Sequence, residues 1–531
     1  MALATAAAFI TPPAQAHVFR DLAFPASTMR NLKRGCALMV LFLAFGGSTR
    51  APAQSSAAPE DLWVDANAPA HPFPHFWEVM FGSGRAILSL REDYRQDLRS
   101  VKAVTDFKYV RFHDILDDDV GVYNQDGEGK PLFNFLYLDQ IYDGLLANGV
   151  KPFIELSFMP KQLSAKPVLH AFWYKPNVAP PAHYDGWAAL VETLARHLIA
   201  RYGAAEVETW YFEVWNEPNL DFWAGDPKQA TYWELYDAAA EAIKKVDPKL
   251  RVGGPATAQA AWVPAFLKHC AEAHVPIDFV STHVYANDRP EDVFATNETI
   301  PRDQMVCRAV RKVHDQIQAS ATPDIPLIWS EFNASYKNEP EVTDAPYMGP
   351  WLASTISQCD GLADAMSYWT FSDVFDEQGV PRRPFYGGFG LIAQGGIPKP
   401  AFAAFQLLHQ LGQQRLALDS NSALLTRKPD GSLALLVWNY FPPESAGQPR
   451  TVILHFRNFH PRGATLSQVD AQHGDAHATY VALGSPASPS QSQLRELRSA
   501  AKLPPREVRP IKDGILPLVV APHALVFIDL Q

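Results

Sequence analysis

Short hydrophobic runs alternate with longer amphipathic stretches along residues 73–412. The short runs predict eight buried strands that end near residues 79–81, 110–112, 153–156, 212–215, 252–254, 279–281, 327–329 and 366–369. The longer stretches predict helices over residues 93–104, 137–148, 187–201, 231–246, 263–274, 303–319 and 348–359. Eight strand–helix repeats are typical of an α/β fold, the (β/α)8 TIM barrel, whose functional side chains stand at the strand C-termini.

The pattern changes to predominantly β after a last predicted helix at 400–412. Residues 424–437 predict a hairpin that turns at Pro429-Asp430-Gly431, and further strands are predicted within 451–456 and 516–530. A helix is predicted at 489–500, and residues 62–64 and 86–90 are candidates for additional strands of the same domain. We therefore expect a barrel domain at 59–412 with an N-terminal β lead-in, followed by an accessory C-terminal β-sandwich at 413–531.

Residues 1–58 resemble a targeting segment rather than part of the fold. A basic start at 29–34 precedes an apolar run at 36–45, and Ala51-Pro52-Ala53 has the small-residue pattern of a signal-peptidase site. The run is too short for a permanent membrane anchor. We expect a signal peptide that starts at Met29 rather than Met1 and export to the periplasm or the medium. The alternative is a disordered tail with a chance apolar patch.

The composition indicates a large folded core and argues against a nucleic-acid partner. The chain is 47% hydrophobic and 19% charged, with a formal net charge of −11 and no run of Lys and Arg. Cys36 would leave with the signal peptide, while Cys270, Cys307 and Cys359 fall in predicted helices. Because three is an odd number, we expect isolated buried thiols rather than a disulfide framework. The composition does not determine the oligomeric state.

Two glutamates at predicted strand ends point to carbohydrate chemistry. Glu217 in Trp-Asn-Glu-Pro follows the fourth predicted strand, and Glu331 in Trp-Ser-Glu-Phe-Asn ends the seventh. Cleavage of a glycosidic bond requires one carboxyl group that protonates the leaving oxygen and a second that supports the anomeric carbon. Strand ends of one barrel point toward a common centre, so the pair predicts a glycoside-cleaving site.

Longer segments around these glutamates resemble β-xylosidases of glycoside hydrolase family 39 from about residue 60 to the C-terminus. Residues 211–220 are similar to the acid/base motif of that family and residues 327–336 to its nucleophile motif. Further similar segments are 111–119, 158–160, 172–178, 283–285, 368–375 and 387–391. The resemblance implies exo-hydrolysis of xylo-oligosaccharides with retained configuration, in which Glu331 is the nucleophile and Glu217 the acid/base. It implies no cofactor.

The resemblance also implies a set of sugar-binding residues. Asn216 is expected to donate to the sugar 2-hydroxyl and Tyr285 to position the nucleophile, while the other members are His113, His283, Trp369, Asp376 and Glu377. For the two histidines a structural role is the alternative, and for Trp369 it is core packing. The family typically has two glutamates at 376 and 377, and glycine is expected at 114, so Asp376 and Asp114 depart from its pattern.

The sequence leaves several alternatives open and predicts no metal site. The acidic stretch 117–119 lacks calcium-loop spacing, and His71 and His75 are interpreted as part of an irregular lead-in. A related retaining glycosidase, such as an α-L-arabinofuranosidase or an enzyme for another pentoside or a uronide, is the enzymatic alternative. The second alternative is a barrel that binds sugars without catalytic activity. The loops at 160–184 and 286–300 decide between exo and endo action, and the sequence does not give their shape.

Overall fold

The predicted barrel is confirmed by the structure, a computed structural model that describes residues 59–530. The proposed signal peptide and Cys36 lie outside these residues. Eight parallel strands close on themselves in chain order, with the first pairing with the eighth. In this order they are Met80–Gly82, Tyr109–Phe112, Lys151–Leu156, Tyr211–Val214, Arg251–Thr257, Phe279–Tyr285, Leu327–Asn333 and Ala365–Tyr368.

The barrel interior is layered because side chains of a strand alternate between its two faces. A layer near the strand N-termini is apolar and is formed by Met80, Phe153, Phe279 and Ile328. On three of these four strands the residue two positions further along is polar, namely Glu155, Ser281 and Ser330. The apolar layer therefore closes one end of the barrel and leaves polar groups at the other end, where a site can form.

Helices and short hairpins surround the barrel and cap its ends. The α-helices are Glu92–Lys102, Leu136–Ala147, Tyr184–Tyr202, Ala204–Val207, Lys228–Val246, Val263–Ala273, Pro290–Phe294, Arg302–Gln318, Pro340–Thr343, Met348–Cys359, Pro400–Leu408, His477–Ala482 and Gln491–Ala500. Two small hairpins pair Tyr123–Gln125 with Pro131–Phe133 and Ile392–Ala393 with Ile397–Pro398. The 3₁₀ helices are Ala86–Leu90, Lys161–Leu163 and Ala258–Ala260.

The predicted sandwich strand at 86–90 is therefore wrong. This segment is a 3₁₀ helix that follows the first barrel strand and buries Ala86 and Leu88.

Two sheets form the predicted C-terminal β domain. The larger sheet orders its strands Ala70–Pro72, Gln414–Leu416, Ala423–Arg427, Leu433–Trp438, Leu525–Leu530, Gly463–Val469 and Glu507–Pro510. The smaller sheet consists of Glu60–Asp65, Arg450–Arg457 and Ile515–Val520, so the strand predicted at 62–64 is confirmed. Aliphatic side chains of both sheets form a core between them. The proposed domain limits stay a prediction.

The sandwich packs closely against the barrel. A Cβ atom added to Gly349, in helix Met348–Cys359, would lie 3.1 Å from a methyl carbon of Val469 and 3.2 Å from Cβ of Leu525. A glycine at this position therefore allows the sheet to approach the helix backbone. In the part of the chain that the structure describes, no helix is long and apolar enough to cross a bilayer.

A disulfide joins Cys307 and Cys359, which corrects the expectation of isolated thiols. The two residues lie in helices Arg302–Gln318 and Met348–Cys359, and their Cα atoms are 5.2 Å apart. This distance is within the usual range for a disulfide. Cys270 remains a buried free thiol. An odd number of cysteines could not reveal a pair formed by two neighbouring helices 52 residues apart in sequence.

Replacing both Cys307 and Cys359 by alanine is expected to lower the free energy of unfolding by about 2–4 kcal/mol, because the cross-link restricts the unfolded chain. Urea unfolding followed by tryptophan fluorescence measures this change. Cys270→Ala is the matched control, since it removes a buried thiol without removing a cross-link. An unchanged midpoint in the double variant would contradict the disulfide.

Candidate active site

Glu217 and Glu331 lie together at the C-terminal end of the barrel. A carboxylate oxygen of one lies within 4.8 Å of an oxygen of the other, and the two residues are only 9% and 4% exposed. Glu217 has a left-handed backbone (φ 43°), and its N–H donates to the carbonyl of Ala256 over 2.8 Å. Non-glycine residues held in this region are frequent at functional sites. Retaining glycosidases keep their two carboxyl groups about 5–5.5 Å apart, so the arrangement fits a double displacement.

A pairing irregularity brings both Ser330 and Glu331 to the barrel interior. Strict alternation would place these neighbours on opposite faces of the seventh strand. Its pairing with the sixth strand shifts between Thr282 and His283, and its pairing with the eighth strand shifts as well. Both side chains consequently approach His283, the Ser330 hydroxyl at 3.0 Å and a Glu331 oxygen at 3.6 Å. Such irregularities are known to redirect side chains next to active sites.

Arg111 holds the carboxylates of this end of the barrel together. It lies in the second strand, fully buried, and its Nη1 donates to Glu331 over 2.5 Å. The same guanidinium donates to Glu213 over 2.6 Å and to the side-chain oxygen of Asn216 over 2.9 Å, and it pairs with Glu155 at 2.8 Å. Burying three carboxylates requires compensating positive charge. Arg111 supplies positive charge at this point and pairs directly with Glu331.

The environment of Glu217 favours its protonated form. Burial raises the pKa of Glu217 well above its ordinary value, and the negative charge of Glu331 raises it further. Arg111 opposes this shift more weakly. The two carboxyl groups therefore differ in the way that acid catalysis requires: one keeps a proton to donate, and the other is paired with a guanidinium.

His283 links Glu217 to Ser330. Burial, followed by the charge of Arg111, lowers the pKa of His283 well below its ordinary value, so the imidazole is neutral. Its Nδ1 lies 3.0 Å from Glu217 Oε1, and its Nε2 lies 3.0 Å from the Ser330 hydroxyl. A neutral imidazole has one donor and one acceptor, whereas a hydroxyl can take either role. The contact can therefore persist whether Glu217 donates its proton to Nδ1 or, once ionised, accepts one from it.

Tyr285 fixes the second oxygen of the proposed nucleophile. Its hydroxyl donates to Glu331 Oε2 over 2.7 Å, while Arg111 binds Oε1. Burial raises the pKa of Tyr285 well above its ordinary value, and the neighbouring Glu331 raises it further. The phenol therefore remains a donor, and Glu331 is held at both oxygens.

A cavity of about 390 Å³ opens above the two glutamates. Of the residues expected from the sequence to bind a sugar, five line it together with Glu217 and Glu331: His113, Asn216, Tyr285, Trp369 and Glu377. Trp369 lies over the first strand, where a Cβ atom on Gly82 would come within 2.2 Å of the indole. Glycine at this position therefore makes room for an aromatic wall of the cavity.

His113 and Glu377 form one polar side of the cavity. The Nδ1 atom of His113 lies 2.8 Å from Glu155, and its Nε2 lies 3.7 Å from Glu377. Burial raises the pKa of Glu377 well above its ordinary value, and the charge of Glu331 raises it further. Because Glu155 binds Nδ1 of His113, the ring is oriented with its other nitrogen, Nε2, toward the cavity.

His283 and Asp376 do not line the cavity. His283 contacts Glu217 from beneath, whereas Asp376 accepts hydrogen bonds from Arg85 over 3.3–3.4 Å. Asp114 is also buried behind the site, and its φ of 73° explains why glycine would suit this position. Burial, together with Asp117, raises the pKa of Asp114 well above its ordinary value.

Sequence reasoning missed several residues of the site. Arg111, Glu155 and Glu213 carried a usable signal, because charged residues inside hydrophobic strands must find partners when buried. Ser330 carried none, since its role depends on the irregular pairing of the seventh strand. The remaining lining residues come from loops and short helices between the barrel strands and were not assigned: Phe172, Leu220, Phe222, Ala258, Gln259, Asp288, Arg289, Asp292, Tyr336, Gln378 and Phe389.

Comparison with known proteins gives consistent results over most of the chain. The profile of Glycosyl hydrolases family 39 matches residues 61–514. A β-xylosidase of Geobacillus stearothermophilus is 38% identical over 473 residues, which cover 86% of this chain and 93% of that protein. A β-xylosidase of Caldicellulosiruptor saccharolyticus is 37% identical and covers 86% of this chain and 95% of its own length. The crystal structure of a monomeric β-xylosidase from Caulobacter crescentus CB15 superimposes with a TM-score of 0.80 at 34% identity, over 89% of this chain and 99% of that one.

Ser330→Ala is expected to lower the pKa of Glu217. Without the hydroxyl, the tautomer with a proton on Nε2 of His283 buries an unsatisfied donor, which costs about 1–3 kcal/mol. The tautomer with the proton on Nδ1 is then favoured, and it stabilises the ionised form of Glu217. Carbon NMR titration of the protein labelled at glutamate carboxyls measures this pKa, with Glu217→Gln to assign the signal.

Ser281→Ala is the matched control for this experiment. Ser281 is fully buried in the sixth strand, and its hydroxyl has no hydrogen-bond partner within residues 59–530. This variant should leave the titration of Glu217 unchanged. Equal pKa values of Glu217 in the native protein and in the Ser330 variant would show that the hydroxyl does not control the tautomer.

Proposed function

Because the chain belongs to glycosyl hydrolases family 39, we propose that it is a retaining β-xylosidase that releases xylose from the non-reducing ends of xylo-oligosaccharides. The observation that carries the proposal is the pair formed by Glu217 and Glu331, whose oxygens approach within 4.8 Å in contrasting environments. One carboxyl is held protonated by burial, and the other is held by Arg111 and Tyr285.

In the first step Glu331 attacks the anomeric carbon while Glu217 protonates the departing oxygen. The bond to the leaving group breaks as a covalent ester forms between the sugar and Glu331. This step requires Glu217 in its protonated form, so it is favoured below the raised pKa of that residue and is lost as the pH rises through it.

In the second step Glu217 accepts a proton from an incoming water molecule. The water attacks the anomeric carbon, the ester to Glu331 breaks, and the sugar leaves with its original configuration. Once the ester has neutralised Glu331, Glu217 no longer lies beside a second negative charge. Its pKa therefore falls at the stage when it must act as a base.

The cavity walls support recognition of a small neutral sugar. Asn216 stands next to the acid/base, where its side chain can reach the 2-hydroxyl, and Trp369 can pack against a sugar ring face. His113 and Glu377 supply hydrogen-bonding groups on one side. A volume of about 390 Å³ is near the lower end of typical ligand pockets, roughly 300–1,000 Å³. Such a size favours capture of a chain end, and hence exo action.

We also propose that the protein is exported to the periplasm or the medium. The basic and apolar pattern of residues 29–53 supports this proposal. The disulfide between Cys307 and Cys359 supports it independently, since structural disulfides form in oxidising compartments.

The purified protein is expected to hydrolyse a nitrophenyl β-D-xyloside at least about tenfold more efficiently than the matching α-L-arabinofuranoside, since each well-placed hydroxyl contact discriminates strongly. On xylohexaose, xylose and xylopentaose should be the early products, and proton NMR should show the released xylose first as the β-anomer. Faster turnover of the arabinoside would overturn the xylosidase proposal, and xylobiose or xylotriose at early times would overturn exo action.

Variants of the two glutamates test their roles in the same assay. Glu331→Ala should lower kcat by about four orders of magnitude or more. Glu217→Ala should slow poor leaving groups by about 10²–10⁴-fold, and azide should restore turnover of an activated substrate through a β-xylosyl azide. Glu341→Ala, on an exposed position of helix Pro340–Thr343, is the control and should match the native enzyme. Full activity of the Glu331 variant would exclude the proposed nucleophile.

Export predicts a processed N-terminus. N-terminal sequencing of the protein secreted by a bacterial host should begin directly after Ala53, because the signal peptide is removed there. Replacing Leu41 and Leu43 by arginine should block processing. A mature chain that retains residues 29–53 would contradict the proposal.

A further inference from the structure

We propose that His75, Glu78 and His409 form a binding site for a divalent transition-metal ion of the zinc type. The three side chains meet at the end of the barrel opposite the cavity. His75 and Glu78 precede the first barrel strand, and His409 follows helix Pro400–Leu408. One potential ligand atom from each residue lies within 4.8 Å of the other two.

The donor atoms converge on one point. Nδ1 of His75 lies 2.7 Å from Glu78 Oε1, and Nδ1 of His409 lies 2.9 Å from Oε1 and 3.0 Å from Oε2. Bonds of about 2.0–2.2 Å to tetrahedral zinc place ligand atoms roughly 3.3–3.5 Å apart. Each contact therefore has to open by about half an ångström on metal binding.

His409 can provide this movement. Its side chain is 43% exposed and it follows the end of a helix, whereas the side chains of His75 and Glu78 are 15% and 0% exposed. The imidazole of His75 packs against Trp77 at 4.5 Å, and Glu78 N–H donates to the His75 carbonyl in a tight turn. His75 and Glu78 are thus fixed on one turn, and His409 can adjust. The solvent-exposed side of the cluster remains available for a water molecule as the fourth ligand.

The charge balance of the cluster also favours a cation. Glu78 is fully buried, and within residues 59–530 its ion-pair partners are the two histidines. A divalent ion that replaces the two Nδ1 protons would neutralise this buried carboxylate.

The chemistry of the donors selects the kind of ion. Two imidazole nitrogens and one carboxylate suit zinc, nickel, cobalt or copper, whereas calcium and magnesium prefer sets of oxygen ligands. The bound ion would connect the segment that enters the barrel to the last barrel helix, 331 residues further along the chain. We therefore expect zinc binding to stabilise the fold rather than to take part in hydrolysis.

Isothermal titration of the chelator-treated full-length protein with zinc chloride tests the site. The native protein should bind one zinc ion at this cluster, and His409→Gln should weaken binding at least about tenfold, since loss of an outer-shell partner alone costs about 10–100-fold. Glutamine can still donate a hydrogen bond to Glu78 but is a poor zinc ligand. Magnesium and calcium chloride should give no binding, and lower pH should weaken zinc binding because protons compete for the imidazoles.

Two controls separate this site from others. His269→Gln is matched, because Nε2 of His269 also contacts a carboxylate, that of Asp237 at 2.8 Å. In the described part of the chain this pair is not joined by a third candidate ligand. Glu331→Gln removes the cluster of Glu217, His283 and Glu331, which also brings three potential ligand atoms within 4.8 Å. Zinc binding, and the accompanying rise in Tm, should persist in both controls.

The possible outcomes decide the proposal. Loss of zinc binding in His409→Gln with retention in both controls supports it. Absence of binding to the native protein, equal affinity of His409→Gln, or loss of binding in Glu331→Gln overturns it and leaves the cluster as a hydrogen-bonded brace. If His409→Gln does not fold, as judged by circular dichroism and xyloside hydrolysis, Glu78→Gln replaces it with the same expected loss.

Discussion

The active end of the barrel depends on one buried cation, the guanidinium of Arg111. It contacts Glu155, Glu213 and Glu331 within 2.8 Å, and these side chains are between 0% and 5% exposed. Three carboxylates could not be buried so close together without this charge, because their mutual repulsion and lost hydration would exceed what packing contributes. The contrasting environments of Glu217 and Glu331 follow from the same contact, since Arg111 pairs directly with one of them.

The two glutamates acquire different chemistry from position rather than from identity. Glu331 is held by Arg111 and Tyr285, one at each oxygen, whereas Glu217 meets a neutral imidazole. Because His283 can change tautomer against the Ser330 hydroxyl, Glu217 can lose and regain a proton without losing its hydrogen bond. The acid/base role proposed for Glu217 requires such a partner. The irregular pairing of the sixth and seventh strands makes this arrangement possible.

The chain keeps the general plan of glycosyl hydrolases family 39, while position 376 is used differently from the pattern expected from the sequence. Asp376 pairs with Arg85 outside the cavity, and Glu377 alone of the two neighbouring acids reaches the cavity wall. The shorter side chain of Asp376 therefore binds Arg85 and holds the loop that follows the eighth strand.

The sandwich packs against helix Met348–Cys359 and contributes no residue to the cavity lining.

The sequence by itself determined the eight-stranded barrel, the β-rich C-terminal part and the two glutamates, because hydrophobic periodicity and short motifs are local properties of a chain. Only the tertiary structure decided which distant groups meet. Cys307 with Cys359, Arg111 with its three carboxylates, and His75 with His409 are each separated by tens to hundreds of residues. Local patterns constrain which face of an element is buried, but packing selects what that face contacts. For the same reason, residues 86–90 read as a strand and fold as a 3₁₀ helix.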